Sequence, residues 1–218
     1  MKKGLIILFL LFVSCYGFSQ SGKELKKLFL AAKDSGQVQY VILRTGEKKE
    51  IKDVSFPGEI NRNGKIEYGD GEKEKYKSGR IIQCQTNEAF YKLAKYTPEK
   101  SDHMAYDSAL ASRMKKGAIN VYFLATSYRV MFKNEFSYEV FYFIEVENNG
   151  KLIQLMNDPR VVDMVEGLVM KSGRAKKSIE ELRKAYGTLA IKFSTSSKLR
   201  EAIDYYNDDF ANGKLTKG

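Results

Sequence analysis

Glu145 and Glu147 are the residues of this chain most open to a catalytic reading. They lie two apart in a β-prone stretch, and a period of two turns both carboxylates to one face of a strand. Paired carboxylates do acid–base or nucleophilic work in glycoside hydrolysis. The chain has no tryptophan to form a sugar platform, though its 14 tyrosines can serve. His103 is the single histidine, so a Ser-His-Asp triad must use it. Its neighbourhood Ser101-Asp102-His103 reads as a surface loop, and no GxSxG elbow accompanies it. Cys15 and Cys84 are the only cysteines, and the HExxH, CxxC and Cys/His ligand spacings are missing. No metal or other cofactor is therefore expected. Cys84 sits in Ile81-Ile82-Gln83-Cys84-Gln85, where alternation groups it with Ile82 as a small buried hydrophobe. Asp70-Gly71-Glu72 lacks EF-hand spacing and reads as a β-turn.

The clearest surface signal is the basic cluster Lys171, Arg174, Lys176 and Lys177, between two predicted helices and close to Lys184. Such a patch suits anionic headgroups, at about 1 kcal/mol per basic residue near a charged surface. Lys171 also has a local role, since a cation at a helix C-terminus meets the negative end of the dipole.

The first twenty residues set the compartment in which any of this chemistry acts. Met1-Lys2-Lys3 is basic, Gly4 to Val13 is apolar, and Gly17-Phe18-Ser19 offers small residues at −3 and −1 of a cut. The three parts predict a secretory signal peptide over 1–19, with Gln20 as the mature N-terminus. The apolar run is shorter than the ~20 residues of a membrane span, so no transmembrane segment is expected after cleavage. A rival reading takes Leu11-Phe12-Val13-Ser14-Cys15 as a lipobox with Cys15 lipidated. Cleavage after Ser19 leaves 199 of the 218 residues, with Cys84 as the one mature cysteine. Lys2 and Lys3 account for two of the ten net positive charges. In the cytosol that balance would point to nucleic acid. In an exported chain it points instead to anionic lipids, lipopolysaccharide or acidic glycans.

The elements that must position these residues are strands first and helices after. A short helix is expected over Ser21–Asp34, then a hairpin from Gln37–Leu43 and Lys48–Val54 about Thr45-Gly46. Short strands follow at Lys65–Tyr68, Glu74–Tyr76 and Arg80–Gln85, with Gly-rich turns between. Tyr96 to Lys116 reads as irregular. Ile119–Phe123, Tyr128–Phe132 and Tyr138–Val146 are predicted strands, and Lys151–Leu155 returns from the Asn148-Asn149-Gly150 turn. Tyr138, Val140, Tyr142 and Ile144 make one face of the third, against Glu139, Phe141, Phe143 and Glu145. Both faces are largely apolar, which predicts a central strand covered on both sides.

Asp158 and Pro159 then open a helix with Val161, Val162, Val165, Leu168 and Val169 on its apolar face. Ser178-Ile179-Glu180-Glu181 reads as a capping box, and Ser197 as the cap of a last helix to about Asn207. The order predicts one α+β domain over 20–207: a twisted antiparallel sheet, β-rich over 37–155, packed by helices over 158–207. A frayed polar tail is expected over 208–218.

The arrangement resembles uncharacterised exported envelope proteins of Bacteroidetes-type bacteria. The residues that carry the resemblance begin with Phe18-Ser19-Gln20, the Thr45-Gly46 hairpin and the stretch from Ile81-Ile82 to Phe90-Tyr91. Lys116-Gly117-Ala118-Ile119-Asn120-Val121-Tyr122, Phe141-Tyr142-Phe143-Ile144-Glu145 and Ile203-Asp204-Tyr205-Tyr206-Asn207 complete it. The resemblance implies an envelope location and an α+β fold, and it implies no reaction. The expected function is a non-catalytic periplasmic or envelope-associated binding or accessory protein. Its expected partner is an envelope protein or an anionic envelope surface, not nucleic acid. The alternatives are a hydrolase acting on an envelope polymer through paired carboxylates, and a lipid-anchored accessory subunit of an outer-membrane assembly.

Overall fold

Short β-prone runs joined by tight turns pair with their neighbours, because a link of a few residues permits only antiparallel pairing. A computed structural model describes residues 38–55, 64–76, 79–97, 107–129, 136–145, 151–185 and 195–215. The expected signal peptide, Cys15, the helix over 21–34, His103, Glu147 and the Asn148-Asn149-Gly150 turn lie outside the described residues. The strands are β1 (Tyr40–Leu43), β2 (Lys48–Ser55), β3 (Gly64–Tyr68), β4 (Lys73–Tyr76) and β5 (Ile81–Gln85). They continue as β6 (Phe90–Tyr96), β7 (Asp107–Lys115), β8 (Asn120–Arg129), β9 (Phe136–Glu145) and β10 (Leu152–Leu155). Three helices follow: α1 (Pro159–Val169), α2 (Gly173–Lys184) and α3 (Thr195–Ala211). The chain has the α+β fold expected, an antiparallel sheet with C-terminal helices.

The sheet runs in the order β10-β9-β8-β7-β6-β5-β1-β2-β3-β4. Two meanders, β1–β4 and β5–β10, are joined through antiparallel pairing of β1 with β5. Laid flat, β4 and β5 would stand four strand spacings apart, about 19 Å. The step from Tyr76 to Ile81 reaches about 18 Å when fully extended, and Gly79 turns it with φ at 83°. The β1–β4 end of the sheet must therefore curl. Val41, Ile51, Ile66, Tyr68, Tyr76 and Cys84 fill that curl.

Directly paired residues share a face, so the register shows what each face covers. The row Val41, Cys84, Tyr91, Ser112, Phe123, Tyr142, Leu155 crosses the sheet on one side. Its β1–β6 end belongs to the first curl. Its β8–β10 end packs under the helices, with Val162, Val165, Ile179, Leu182, Leu199 and Ile203. On the opposite face, strands β6–β10 curl the other way around Phe90, Ala94, Tyr96, Tyr122, Phe141 and Phe143. Leu152 of β10 joins that cluster. Gln154 ties β10 to the end of β6, accepting from the Thr97 N–H at 2.9 Å and donating to the Thr97 carbonyl at 3.2 Å. β9 lies between β8 and β10 with a core on each face, as its two apolar faces predict.

Several boundaries differ from the sequence reading. β7 is a nine-residue strand inside the stretch read as irregular, with a register shift against β8 between Arg113 and Lys115. Its Ala109 and Ala111 have weak strand propensity, yet they leave the room that the inward aromatic rings take up. β8 is one ten-residue strand, paired residue for residue with β9 from Asn120 to Arg129, where two separate strands were expected. Cys84 does not share a side with Ile82. The β1 register steps from Gln83 to Ile81 across one residue, so a bulge at Ile82 turns Ile81 and Cys84 both inward.

The helix caps divide similarly. Asp158 caps α1 as predicted, its carboxylate accepting from the Arg160 N–H at 2.8 Å. The cap of α2 is Ser172, whose Oγ accepts from the Ala175 N–H, while Ser178 is buried within the helix. α3 begins at Thr195 and runs to Ala211, so residues 208–211 belong to a helix and not to a frayed tail. Asp209 explains the extension, since it is buried and bonded to α2.

Candidate functional site

Alternation along β6–β9 brings five polar side chains to the inner face of the second curl, at one end of its aromatic core. Lys92 comes from β6, Arg113 from β7, Asn120 and Tyr122 from β8, and Glu145 from β9. Asn120 stands opposite Glu145 in the ladder, and Arg113 opposite Tyr122. The Lys92 ammonium donates to Glu145 Oε1. Tyr122 Oη donates to Oε2 at 2.7 Å, and Asn120 Nδ2 donates to the same oxygen at 3.2 Å. The Arg113 guanidinium lies 4.2 Å from the centre of the Phe90 ring.

Burial alone would raise the Glu145 carboxyl, but Lys92, Tyr122 and Asn120 together hold it below its ordinary value. Burial and the bond to Glu145 push the Tyr122 phenol upward. A general acid in glycoside hydrolysis needs a raised carboxyl, and Glu145 moves in the other direction. Both its oxygens already accept hydrogen bonds inside the protein. The described member of the Glu145/Glu147 pair is thus held as an internal anion. Cys84 is buried in the first curl, and burial pushes its thiol up to about 12. Such a thiol stays protonated and lacks the thiolate needed for attack.

The predicted basic cluster lies at the corner where α1 turns into α2 and meets the end of α3. Ser172 Oγ donates to Asp209 Oδ2 at 2.6 Å. Arg174 Nε donates to Asp209 Oδ1 at 3.1 Å, and its guanidinium lies 5.1 Å from the centre of the Tyr205 ring. That pairing holds the Asp209 carboxyl below its ordinary value. Arg174 therefore locks α2 to α3. Lys171, Lys176 and Lys177 are exposed, and Lys176 and Lys177 make no ion pair among the described residues. Arg183, further along α2, is committed to Asp163 and Glu166 of α1.

Two further polar groupings stand apart. An open groove of about 400 Å³ crosses β2–β4, lined by Asp53, Lys65, Glu67, Lys73, Glu74 and Lys75. Its charges are balanced: Glu67 meets Lys52 and Lys73, each at 3.0 Å, and Glu74 accepts from Tyr68 Oη at 2.8 Å. On α3, Asn207 clasps the β7–β8 turn. Its Oδ1 accepts from the Ile119 N–H at 2.9 Å, and its Nδ2 donates to the Ile119 carbonyl at 2.8 Å. Asp204, one turn earlier, has a buried Oδ1 without a hydrogen bond. Burial raises its carboxyl, partly offset by Arg200 and Lys115.

The Lys92–Glu145 cluster was not legible in the sequence, since its members come from four strands. A lysine within Phe90-Tyr91-Lys92-Leu93, and a glutamate closing an apolar strand face, were the signals available. Compared with known proteins, the chain matches no family model, no curated protein and no solved structure.

Proposed function

We propose that the protein is an exported, non-catalytic binding or accessory protein of the cell envelope that meets its partner through the basic corner of α1 and α2. The observation that carries this reading is a contrast in how charged side chains are used. Glu145, Asp209, Arg174 and Arg183 are engaged in internal contacts. Lys176 and Lys177 project from α2 without a counter-ion among the described residues. Loss of Lys2 and Lys3 with the signal takes the net charge from +10 to +8, which still gives an anionic partner a favourable long-range field. The tripartite character of residues 1–19 supplies the export signal.

Expression of the tagged chain with its own signal, followed by fractionation of its host, tests the reading. The mature protein should begin at Gln20 and stay with the envelope until salt is raised. Lys176→Glu/Lys177→Glu should weaken that retention at unchanged stability. A cytoplasmic chain that keeps residues 1–19 overturns export. Retention indifferent to salt and to the charge reversal overturns the role of the corner.

A further inference from the structure

The basic corner carries a second feature that charge alone does not explain. Met170, in the α1–α2 turn, is 63% exposed, and Phe210, near the end of α3, is 55% exposed. They are two of four large hydrophobic side chains exposed among the described residues. The Ser172–Asp209 hydrogen bond joins the residues two after Met170 and one before Phe210, so the two residues lie at one corner of the fold. Phe210 stacks on Tyr206, with ring centres 6.5 Å apart. Lys214 follows on the same turn, its N–H bonded to the Asp209 carbonyl at 2.8 Å. Lys171 adjoins Met170, and Lys177 lies one helical turn beyond Arg174 on the same side of α2. The carboxylates of the corner are already paired, Asp208 with Lys115 and Asp209 with Arg174. Glu180 and Glu181 come a turn later on α2.

We infer that this corner is a lipid-docking surface: Met170 and Phe210 enter the interface of an anionic membrane while Lys177 and Lys214 meet its headgroups. The inference rests on the proposed envelope location and names the partner there. An apolar anchor ringed by lysines is the composition that binds a charged interface. A second copy of the chain fits less well, because a two-fold contact here sets lysine against lysine. No helix among the described residues is long and apolar enough to cross a membrane, so the contact proposed is with the surface.

Vesicle co-sedimentation of the exported, purified chain tests this. It should sediment with vesicles containing phosphatidylglycerol, and far less with phosphatidylcholine alone. Met170→Ser/Phe210→Ser should weaken binding about tenfold, in keeping with partial burial of two side chains. Lys177→Gln and Lys214→Gln should each weaken it about fivefold. Thermal midpoints equal to that of the parent show that the variants are folded, and the lysine variants carry the test should the apolar pair fail to fold. Failure to bind anionic vesicles, or equal binding by the folded variants, overturns the inference. A solution dimer dissolved by Met170→Ser/Phe210→Ser overturns it in favour of self-association. A chain that ignores vesicles yet stays salt-releasable on native envelopes overturns the lipid contact alone and leaves the proposed function standing.

Discussion

A buried carboxylate is costly unless cations and hydrogen-bond donors meet it, and Glu145 is met on both oxygens. Removing one partner strands the other. Lys92→Met should therefore cost about 3–5 kcal/mol in urea unfolding. Lys92→Met/Glu145→Gln should cost clearly less than the two single changes added together, as coupled neighbours do. Additive losses would mean that the two residues do not act as a pair. The same residue sets an acid limb. Its folded carboxyl lies below the unfolded value, so its stabilisation is present above the ordinary glutamate range near about pH 4.3. That stabilisation is lost as pH falls through the lowered folded value. Glu145→Gln should flatten this limb in thermal scans against pH. Asp204 is shifted the other way, chiefly by burial, so its ionised form disfavours the fold. Asp204→Asn should accordingly raise the midpoint near neutral pH, where the native carboxyl is under pressure to stay protonated.

At the scale of elements, one amide of α3 clasps the β7–β8 turn. Asn207 satisfies both backbone groups of Ile119, and a Cβ on Gly117 would stand 2.7 Å from the Asn207 side chain. Asn207→Ala leaves a buried N–H and carbonyl unpaired, at about 1–3 kcal/mol each. Gly117→Ala should displace the same amide and produce much of the same loss. The double change should then cost little more than Asn207→Ala alone by denaturant unfolding. A fully additive pair would show that the glycine acts only on its own turn. The closing of the second curl follows similar chemistry. Gln154 presents its amide to Thr97 as a neighbouring strand would present a peptide.

Across the whole molecule, the sheet coils in opposite senses at its two ends, and three cores result. The helical layer shares its core with β8–β10 through Val121, Phe123, Tyr142, Ile144 and Leu155. A chain ending at Asn157 exposes that face. Each apolar side chain returned to water costs about 1.5–3 kcal/mol, and a domain's net stability is only about 5–15 kcal/mol. Such a truncation should aggregate or lose its sharp thermal transition. A soluble monomer that still melts cooperatively would show that the sheet folds without its helices.

Local features of this protein are legible in the order of its amino acids. Asp158-Pro159 opened α1, period-two patterning marked β9 as a strand with two covered faces, and composition placed strands before helices. Those signals act between residues a few positions apart, where dihedral preference and alternation decide the outcome. Tertiary structure alone decided the rest. β7 is a strand because inward aromatic rings require the space above Ala109 and Ala111, against the propensity of alanine. The bulge at Ile82 inverts the alternation that would have set Cys84 beside it. Lys92 meets Glu145 across 53 positions of sequence, and Ser172 meets Asp209 across 37. Such pairs are set by sheet curvature and helix docking, which depend on the summed packing of the whole chain and leave no mark in any short stretch of it.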